Sequence, residues 1–189
     1  MSASYTSERV NATLAYTLSR TTRRFAEIND GEEFLFRYDR PHILNLNAGV
    51  LLGGGTNRHG RSVRHRLNSA LAYSSGNLVT VPVSSYQGEL LPYWEQRGTG
   101  LYLSSLANRL ARTRFEYGSE NNFRLKDYVR LDVSWSIEKR KGDRSSTWTF
   151  SVFNVLNRHN PMLIYTNGKE FKSVSSLPIM PSVRWSCSL

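Results

Sequence analysis

The sequence predicts an all-β fold: a portion of an antiparallel transmembrane β-barrel, with about six to eight up-and-down strands, long extracellular loops and short periplasmic turns. Several segments alternate apolar and polar residues with a period of two, which is the pattern of strands with one apolar face. The polar positions mainly carry small uncharged residues, and the connections alternate between long and short. Hydrophobic residues make up 39% of the chain, less than the roughly 45–50% usual for a packed globular domain.

The alternation is strictest in two segments, 130–137 and 182–189. Each places leucine, valine, isoleucine, tryptophan or cysteine on one side and serine, arginine or aspartate on the other. Four further segments alternate less perfectly; they are 14–19, 44–52, 67–74 and 148–152. Because successive side chains of a strand point to opposite faces, these segments predict six strands. Each is near the roughly 9–11 residues that cross a bilayer at a tilt.

The composition of the polar face separates a membrane barrel from a soluble sheet. A soluble antiparallel sheet turns its polar face to bulk water, whereas a membrane barrel turns it to a wet lumen. Here the polar positions are mostly serine, threonine, asparagine and alanine. Lysine and glutamate lie mostly between the strands, as at Glu32, Glu33, Lys139, Lys141, Lys169 and Glu170. This favours the barrel over the alternative of a soluble β-sandwich binding module.

The connections and aromatic residues fit the same interpretation. Long stretches at 21–40 and 84–122 are expected outside, and short turns at 53–62 and 139–146 are expected in the periplasm. Tryptophans on the apolar faces suit the lipid–water boundary; they are Trp135, Trp148 and Trp185. A helical turn is expected near 103–113. The candidate ligand-binding residues are the loop aromatics Tyr93, Trp94 and Tyr102, which either stack on a ligand such as a sugar or pack the loop.

No catalytic, cofactor or metal site is expected, and the chain is not predicted to be an enzyme. The four histidines lack metal-binding spacing, and Cys187 has no second cysteine. The formal net charge is +10, and the densest basic run is 58–66. No nucleic-acid recognition motif accompanies this run, so it is expected near lipid phosphates. No apolar run reaches 18 residues, and the first ten residues lack a signal peptide's apolar region. If the protein is exported, a fragment of a longer precursor is therefore expected.

Four local patterns carry a resemblance to a known family. They are Tyr16–Arg20 followed by Asp39–His42, Ser74–Asn77 followed by Val81–Pro82, Tyr128–Asp132, and Phe153–Pro161. In order and spacing the chain resembles the C-terminal barrel of TonB-dependent receptors, particularly those of Bacteroidetes-type bacteria. Lys126 and Asp127 precede Tyr128, where that family usually has a proline.

The resemblance implies a bacterial outer-membrane barrel of about 22 strands with an N-terminal plug. It implies uptake of a scarce ligand: a siderophore, a vitamin, an oligosaccharide or a peptide. The implied partners are outer-membrane lipid, the barrel assembly machinery, a surface lipoprotein, and the TonB complex through an N-terminal half that this chain lacks. A small outer-membrane pore is the other membrane alternative.

The resemblance also selects residues with expected structural roles. They are Asp39, Arg40, His42, Arg130, Asp132, Asn154, Asn157, Asn160 and Pro161. Arg130 and Asp132 are two residues apart and share the lumen face, where they form an ion pair or Asp132 faces Arg184 on a neighbouring strand. Asparagine tolerates turns, so Asn160 and Pro161 are expected to begin or bend a loop.

Overall fold

The computed structural model describes residues 1–58, 60–88, 112–166 and 170–188, which form antiparallel β-sheets. The strands are β1 Ser2–Thr6, β2 Val10–Leu18, β3 Thr22–Arg23, β4 Phe34–Leu35, β5 His42–Thr56, β6 Ser62–Ser74, β7 Leu78–Val79, β8 Pro82–Gly88, β9 Arg112–Tyr117, β10 Phe123–Arg124, β11 Tyr128–Lys141, β12 Arg144–Phe153, β13 Pro161–Thr166, β14 Phe171–Ser175 and β15 Met180–Ser188. One 3₁₀ turn occupies Asn29–Gly31. The described residues contain no helix long and apolar enough to cross a membrane. The all-β prediction is confirmed.

Seven strands form one sheet in the order β1-β2-β5-β6-β11-β12-β15. All neighbours are antiparallel, so the sheet is an up-and-down meander with β1 and β15 at its open edges. The six predicted strands correspond to β2, β5, β6, β11, β12 and β15. The sequence pattern did not predict β1, because this strand has only five residues and most of them are small and polar.

Two predicted turns are shorter in the structure than the sequence indicated. The turn predicted at 53–62 is confined to 57–61, because Gly53, Gly54 and Gly55 remain paired with β6 beyond a β-bulge. The turn predicted at 139–146 shrinks to Gly142 and Asp143, because Lys141 still pairs with Arg144. Glycine and charged residues suggest turns, but here the strand pairing continues through them.

The long connections lie at one end of the sheet and the short turns at the other. The long connections are 19–41, 75–127 and 154–179, and the short ones are 7–9, 57–61 and 142–143. The predicted alternation in length is therefore confirmed. Four two-stranded sheets, β3–β4, β7–β10, β8–β9 and β13–β14, lie within the long connections. We call the two ends of the sheet the long-loop end and the short-turn end.

The strand register divides the seven-stranded sheet into an apolar face and a polar face. One cross-strand row of the apolar face contains Val10, Val50, Leu67, Trp135, Phe150 and Val183. The adjacent row on the polar face contains Asn11, Gly49, Asn68, Ser134, Ser151 and Ser182. Because the period within a strand is two, a slip of one residue in any strand would mix these rows.

The apolar face is exposed along its length. Trp135 and Trp148 are 40% and 41% exposed, and Val183 and Trp185 are 62% and 57% exposed. Within the described ranges the only buried hydrophobic side chains are Leu78 and Leu125, and both lie at the long-loop end outside the large sheet. No second layer formed by these ranges covers the apolar face.

Candidate functional site

The polar face curves around a depression of about 490 Å³. Its polar side chains come from six strands; they are Asn11, Thr13, Asn47, Asn68, Asp132, Ser134, Ser151 and Ser182. Amides and hydroxyls both donate and accept hydrogen bonds, so such a surface is well hydrated. The curvature makes the polar side the concave side of the sheet.

Arg130 and Asp132 share this face as predicted and form an ion pair. Arg130 Nε lies 3.1 Å from Asp132 Oδ2, although its N–H lacks the alignment of a hydrogen bond. The Arg130 guanidinium stacks 4.7 Å from the Phe153 ring centre. Asp132 also accepts a hydrogen bond from the Asn154 amide at 2.9 Å. The alternative pairing with Arg184 is wrong, because β12 separates the strands that carry Asp132 and Arg184.

A buried ion pair joins two long connections at the long-loop end. Asp39 is 1% exposed, and its Oδ2 lies 2.8 Å from Arg124 Nη2. Its other carboxylate oxygen accepts the Thr21 amide at 2.7 Å. Arg124 Nη1 also donates to the backbone oxygens of Asp39 at 2.7 Å and Gly76 at 2.9 Å. Arg124 therefore holds together the connections 19–41 and 75–127.

Arg40 and His42, in the same segment as Asp39, contact the segment that begins at Ser74. Arg40 Nε donates to Asn77 Oδ1 at 2.8 Å. The His42 amide donates to Ser75 Oγ at 3.1 Å, and the Ser75 amide donates to the His42 carbonyl at 2.9 Å. The His42 ring shares a 2.8 Å hydrogen bond with the Tyr16 hydroxyl. Three of the segments that carry the resemblance are thus brought together.

Asp127 adds β6 to this arrangement. Its carboxylate accepts the Tyr73 hydroxyl at 2.8 Å and the Gly76 amide at 3.2 Å. Its carbonyl accepts Arg158 Nη2 at 3.0 Å. The residue that departs from the family pattern therefore has its own structural partners. We call Asp39, Arg40, His42, Ser75, Gly76, Arg124 and Asp127 the rim network.

The asparagines of the 153–161 segment form the turns that follow β12. Asn154 and Asn157 have φ values of 51° and 46°, the left-handed conformation that asparagine tolerates. The Asn154 side chain donates to the carbonyls of Arg158 and Leu177, both at 3.1 Å. Asn157 Oδ1 accepts the Ile179 amide at 3.0 Å. These hydrogen bonds join the turn after β12 to the residues just before β15.

Asn160 is buried and bonds both backbone groups of one residue. Its Oδ1 accepts the Val129 amide at 2.9 Å, and its Nδ2 donates to the Val129 carbonyl at 2.8 Å. Pro161 follows and begins β13, so a strand of a small hairpin starts where the loop was predicted to start or bend.

Asn160→Ala should weaken the long-loop end markedly, because it leaves the Val129 N–H and C=O without these partners. Each unsatisfied buried group costs about 1–3 kcal/mol, so a loss of about 2–3 kcal/mol in unfolding free energy is expected. Urea unfolding in detergent micelles measures it. His159→Ala is the matched control, since the adjacent His159 side chain is exposed. Equal midpoints for the two variants would contradict the prediction.

Aromatic side chains of the apolar face form two groups. Trp135, Phe150, Trp148 and Trp185 form a chain of rings, with centres 5.8, 6.4 and 6.2 Å apart, that runs from the middle of the sheet toward the short-turn end. His65 extends this chain, because its ring stacks 5.8 Å from Trp135. Tyr16 and Tyr73 lie at the opposite end of the face, with their hydroxyls bonded to His42 and Asp127.

Some sequence predictions fall outside the described residues. Tyr93, Trp94 and Tyr102 are among them, so their role in ligand binding stays a prediction. The helical turn expected at 103–113 lies outside them up to 111, and its last two positions belong to β9. Over the described ranges, no group of three or more histidine, cysteine, aspartate or glutamate residues could hold a metal ion.

Arg124 and Asp127 are the members of the rim network whose contacts the sequence did not predict. Arg124 pairs with a residue 85 positions away, and no local spacing signals such a contact. A buried aspartate needs a cationic or hydrogen-bonding partner, but this rule does not say which arginine supplies it.

Comparison with protein-family models, with curated proteins and with solved structures found no match. The likeness to TonB-dependent receptors therefore rests on the residues themselves.

Proposed function

We propose that this chain forms the C-terminal strands of the barrel of a TonB-dependent receptor in a bacterial outer membrane, and that it is not an enzyme. The observation that carries the proposal is the exposed apolar face, kept in register across the sheet opposite a concave polar face. A lipid-facing exterior and a wet interior account for both faces at once.

The exposed apolar area supports lipid as the partner of this face. Soluble monomers rarely expose a contiguous apolar patch larger than a few hundred Å². Here the rows of large residues extend over neighbouring strands, with Trp148, Phe150, Val183 and Trp185 all more than 40% exposed. Contact with acyl chains removes this surface from water without a second protein layer. The soluble β-sandwich would need that layer.

The spacing of the aromatic residues fits the thickness of a bilayer. Along β6, His65 and Tyr73 share the apolar face and lie eight residues apart. At about 3.3 Å per residue this is about 26 Å along the strand, or about 20 Å across the membrane at a tilt near 40°. Outer-membrane barrels have an apolar band of roughly 25 Å between aromatic girdles.

The open edges support a section of a larger barrel rather than a small pore. In lipid, each unpaired backbone group costs several kcal/mol, so β1 and β15 need partner strands. In the proposed receptor, other strands of the barrel supply them, and the plug and the TonB contact belong to the rest of the protein. Folding and insertion would depend on the barrel assembly machinery.

The rim network supports the receptor class in particular. The four patterns that resemble TonB-dependent receptors lie in it or border it, and their buried polar residues have partners. On this proposal the long connections are extracellular and reach the ligand or a surface lipoprotein. The ligand is a siderophore, a vitamin, an oligosaccharide or a peptide.

Envelope fractionation of the source bacterium, with an antibody against this chain, tests the proposal. We expect the antigen in the outer-membrane fraction, in a band that migrates faster in the gel before boiling than after it. A soluble antigen whose migration does not change on boiling would contradict the proposal. A heat-modifiable band of only the size of this chain, with conductance in liposomes, would favour the small pore.

A further inference from the structure

The polar face of the large sheet becomes positively charged toward the short-turn end. In the middle of the sheet its cross-strand rows hold mainly serine, threonine, asparagine and alanine, and the one arginine among them is paired with Asp132. The three rows nearest the short-turn end carry four arginines, which are Arg64, Arg66, Arg140 and Arg184, and one carboxylate, which is Glu138. Two arginines of the basic run 58–66 therefore lie on the polar face, opposite the tryptophans.

Arg9 adds a fifth positive charge to this region. It lies in the turn before β2, and its carbonyl accepts the Leu51 amide at 2.7 Å. Leu51 is the cross-strand partner of Arg66. Arg9 and Arg64 both line a cavity of about 460 Å³ beside the bulge of β5. We call Arg9, Arg64, Arg66, Arg140 and Arg184 the cationic patch; with Glu138 its net charge is 5 − 1 = +4.

The charges of the cationic patch are not compensated within the described ranges. Both ion pairs of these ranges involve other residues, so no arginine of the patch has a carboxylate within 4.0 Å. The side chains of Arg9, Arg64, Arg66 and Arg184 are exposed. Arg140 Nε donates to the Gly142 carbonyl at 3.3 Å, which leaves its charge unpaired. Uncompensated cations on a concave surface focus a positive field that attracts anions.

The spacing of the arginines suits an anion with more than one charged group. Arg64 and Arg66 lie two residues apart on one face of β6, or about 7 Å. Arg66 and Arg184 share a row three strands apart, or about 14 Å. A solute with several carboxylates or phosphates can reach more than one of these side chains at once. The guanidinium fork matches the oxygens of both groups.

The space beside the patch has the size of a small-molecule site. The depression of about 490 Å³ is lined by Ser134, Ser151 and Ser182, whose row lies next to that of Arg66 and Arg184. Sites for small molecules occupy about 300–1,000 Å³, and the cavity between Arg9 and Arg64 is also in that range. These volumes favour a soluble molecule over an acidic protein surface, which would need a larger and flatter area.

We infer that the cationic patch binds a soluble polyanion, a molecule with two or more carboxylate or phosphate groups, and that Arg64 and Arg66 are its principal contacts. This inference rests on the proposed function, in which the polar face is the wet interior of the barrel and the ligand leaves at the short-turn end. It narrows the ligand of the receptor to molecules that carry several negative charges.

Calorimetric titration of the full chain in zwitterionic detergent micelles tests the site. The probes are citrate, tripolyphosphate, the neutral sugar maltotriose and a triglutamate peptide with blocked ends. We expect citrate or tripolyphosphate to bind at least about tenfold more tightly than maltotriose, since a hydrogen bond to a charged group contributes about a factor of ten or more. The tighter of the two identifies the preferred oxyanion. The affinity should fall between about 0.1 M and 1 M NaCl, because the screening length shrinks from about 10 Å to about 3 Å.

The variants Arg64→Gln/Arg66→Gln and Lys139→Gln/Lys141→Gln remove the same charge at the same end of the sheet but on opposite faces. Lys139 pairs with Val63 and Ser146 in an apolar-face row, and Lys141 follows two residues later. The arginine variant should lose at least about tenfold in affinity, and the lysine variant should stay within about twofold. Arg64→Lys/Arg66→Lys keeps the charge and should lose less than the glutamine variant. Circular dichroism checks that every variant keeps the β-sheet spectrum, and the salt titration of the unsubstituted chain needs no substitution.

The other outcomes separate this inference from the proposed function. Anions that bind no more tightly than maltotriose would overturn the polyanion site and leave the membrane-facing sheet in place. Equal losses in the arginine and lysine variants would show a response to net charge and overturn the site as assigned. Triglutamate binding at least about tenfold more tightly than citrate, at equal charge, would assign the patch to an acidic protein segment instead. Anion binding as expected, together with a soluble antigen in the envelope fractionation, would keep the site and contradict the proposed function.

Discussion

Gly76→Ala is expected to lower the unfolding free energy by about 3 kcal/mol. A Cβ on Gly76 would overlap the carbonyl oxygen of Leu125 and lie 2.9 Å from the carbonyl oxygen of Lys126. Both are backbone atoms, so no side-chain rotation relieves the overlap. The segment must move away, which breaks the hydrogen bonds from Gly76 to Asp127 and from Arg124 to Gly76.

Gly55→Ala is the control for this substitution. A Cβ on Gly55 would have no heavy atom within 4 Å, and Gly55 lies near the short-turn end of β5. Urea unfolding in detergent micelles should give a midpoint close to the original for Gly55→Ala and a much lower one for Gly76→Ala. Similar midpoints would show that the 75–127 connection does not pack against itself as described.

Asp39→Ala should cost about 3 kcal/mol, because it removes one partner of a buried ion pair. Arg124 would keep a partly buried positive charge, with 29% of its side chain exposed, and the Thr21 amide would lose its acceptor. Asp39→Asn should cost less, since an amide oxygen can still accept the Thr21 amide. The same urea unfolding experiment measures both variants.

Glu33→Ala provides the matched control, because Glu33 lies in the same connection and is exposed. Its effect should stay within about 0.5 kcal/mol. In the double variant Asp39→Ala/Arg124→Met, the loss should be smaller than the sum of the two single losses, because the unpaired charge is gone. Additive losses would mean that Asp39 and Arg124 do not stabilise each other.

The large sheet was predictable because its signal is local. The alternation in 130–137 or 182–189 can be read from neighbouring residues alone. Strict alternation of apolar and polar residues is the pattern of a strand with one apolar face. The ends of the strands were less predictable. Gly53–Gly55 has the composition of a turn, yet pairing with β6 carries β5 through a bulge to Thr56. The five-residue β1 was missed because alternation needs length to be visible.

The rim network was predictable only in part, because its contacts join distant segments. Asp39 and His42 were selected from a pattern, and the structure gives them partners from the segment near Ser74 and from β10. Nothing near Arg124 marks it as the partner of Asp39, and nothing near Asp127 marks it as the acceptor for Tyr73 and Gly76. Their roles depend on how the long connections fold over the end of the sheet, which the period-two pattern does not determine.

Spin labels at eight consecutive positions of β11, 130–137, test the central claim most directly, with Cys187→Ser as the background. The labelled chains are reconstituted in lipid, and each label is probed with oxygen, which dissolves in acyl chains, and with a water-soluble nickel chelate. We expect oxygen to reach the labels at Leu131, Val133, Trp135 and Ile137, and nickel to reach the other four labels, at Arg130, Asp132, Ser134 and Ser136. Labels at those four apolar positions that neither reagent reaches, or that nickel reaches more readily, would contradict the account.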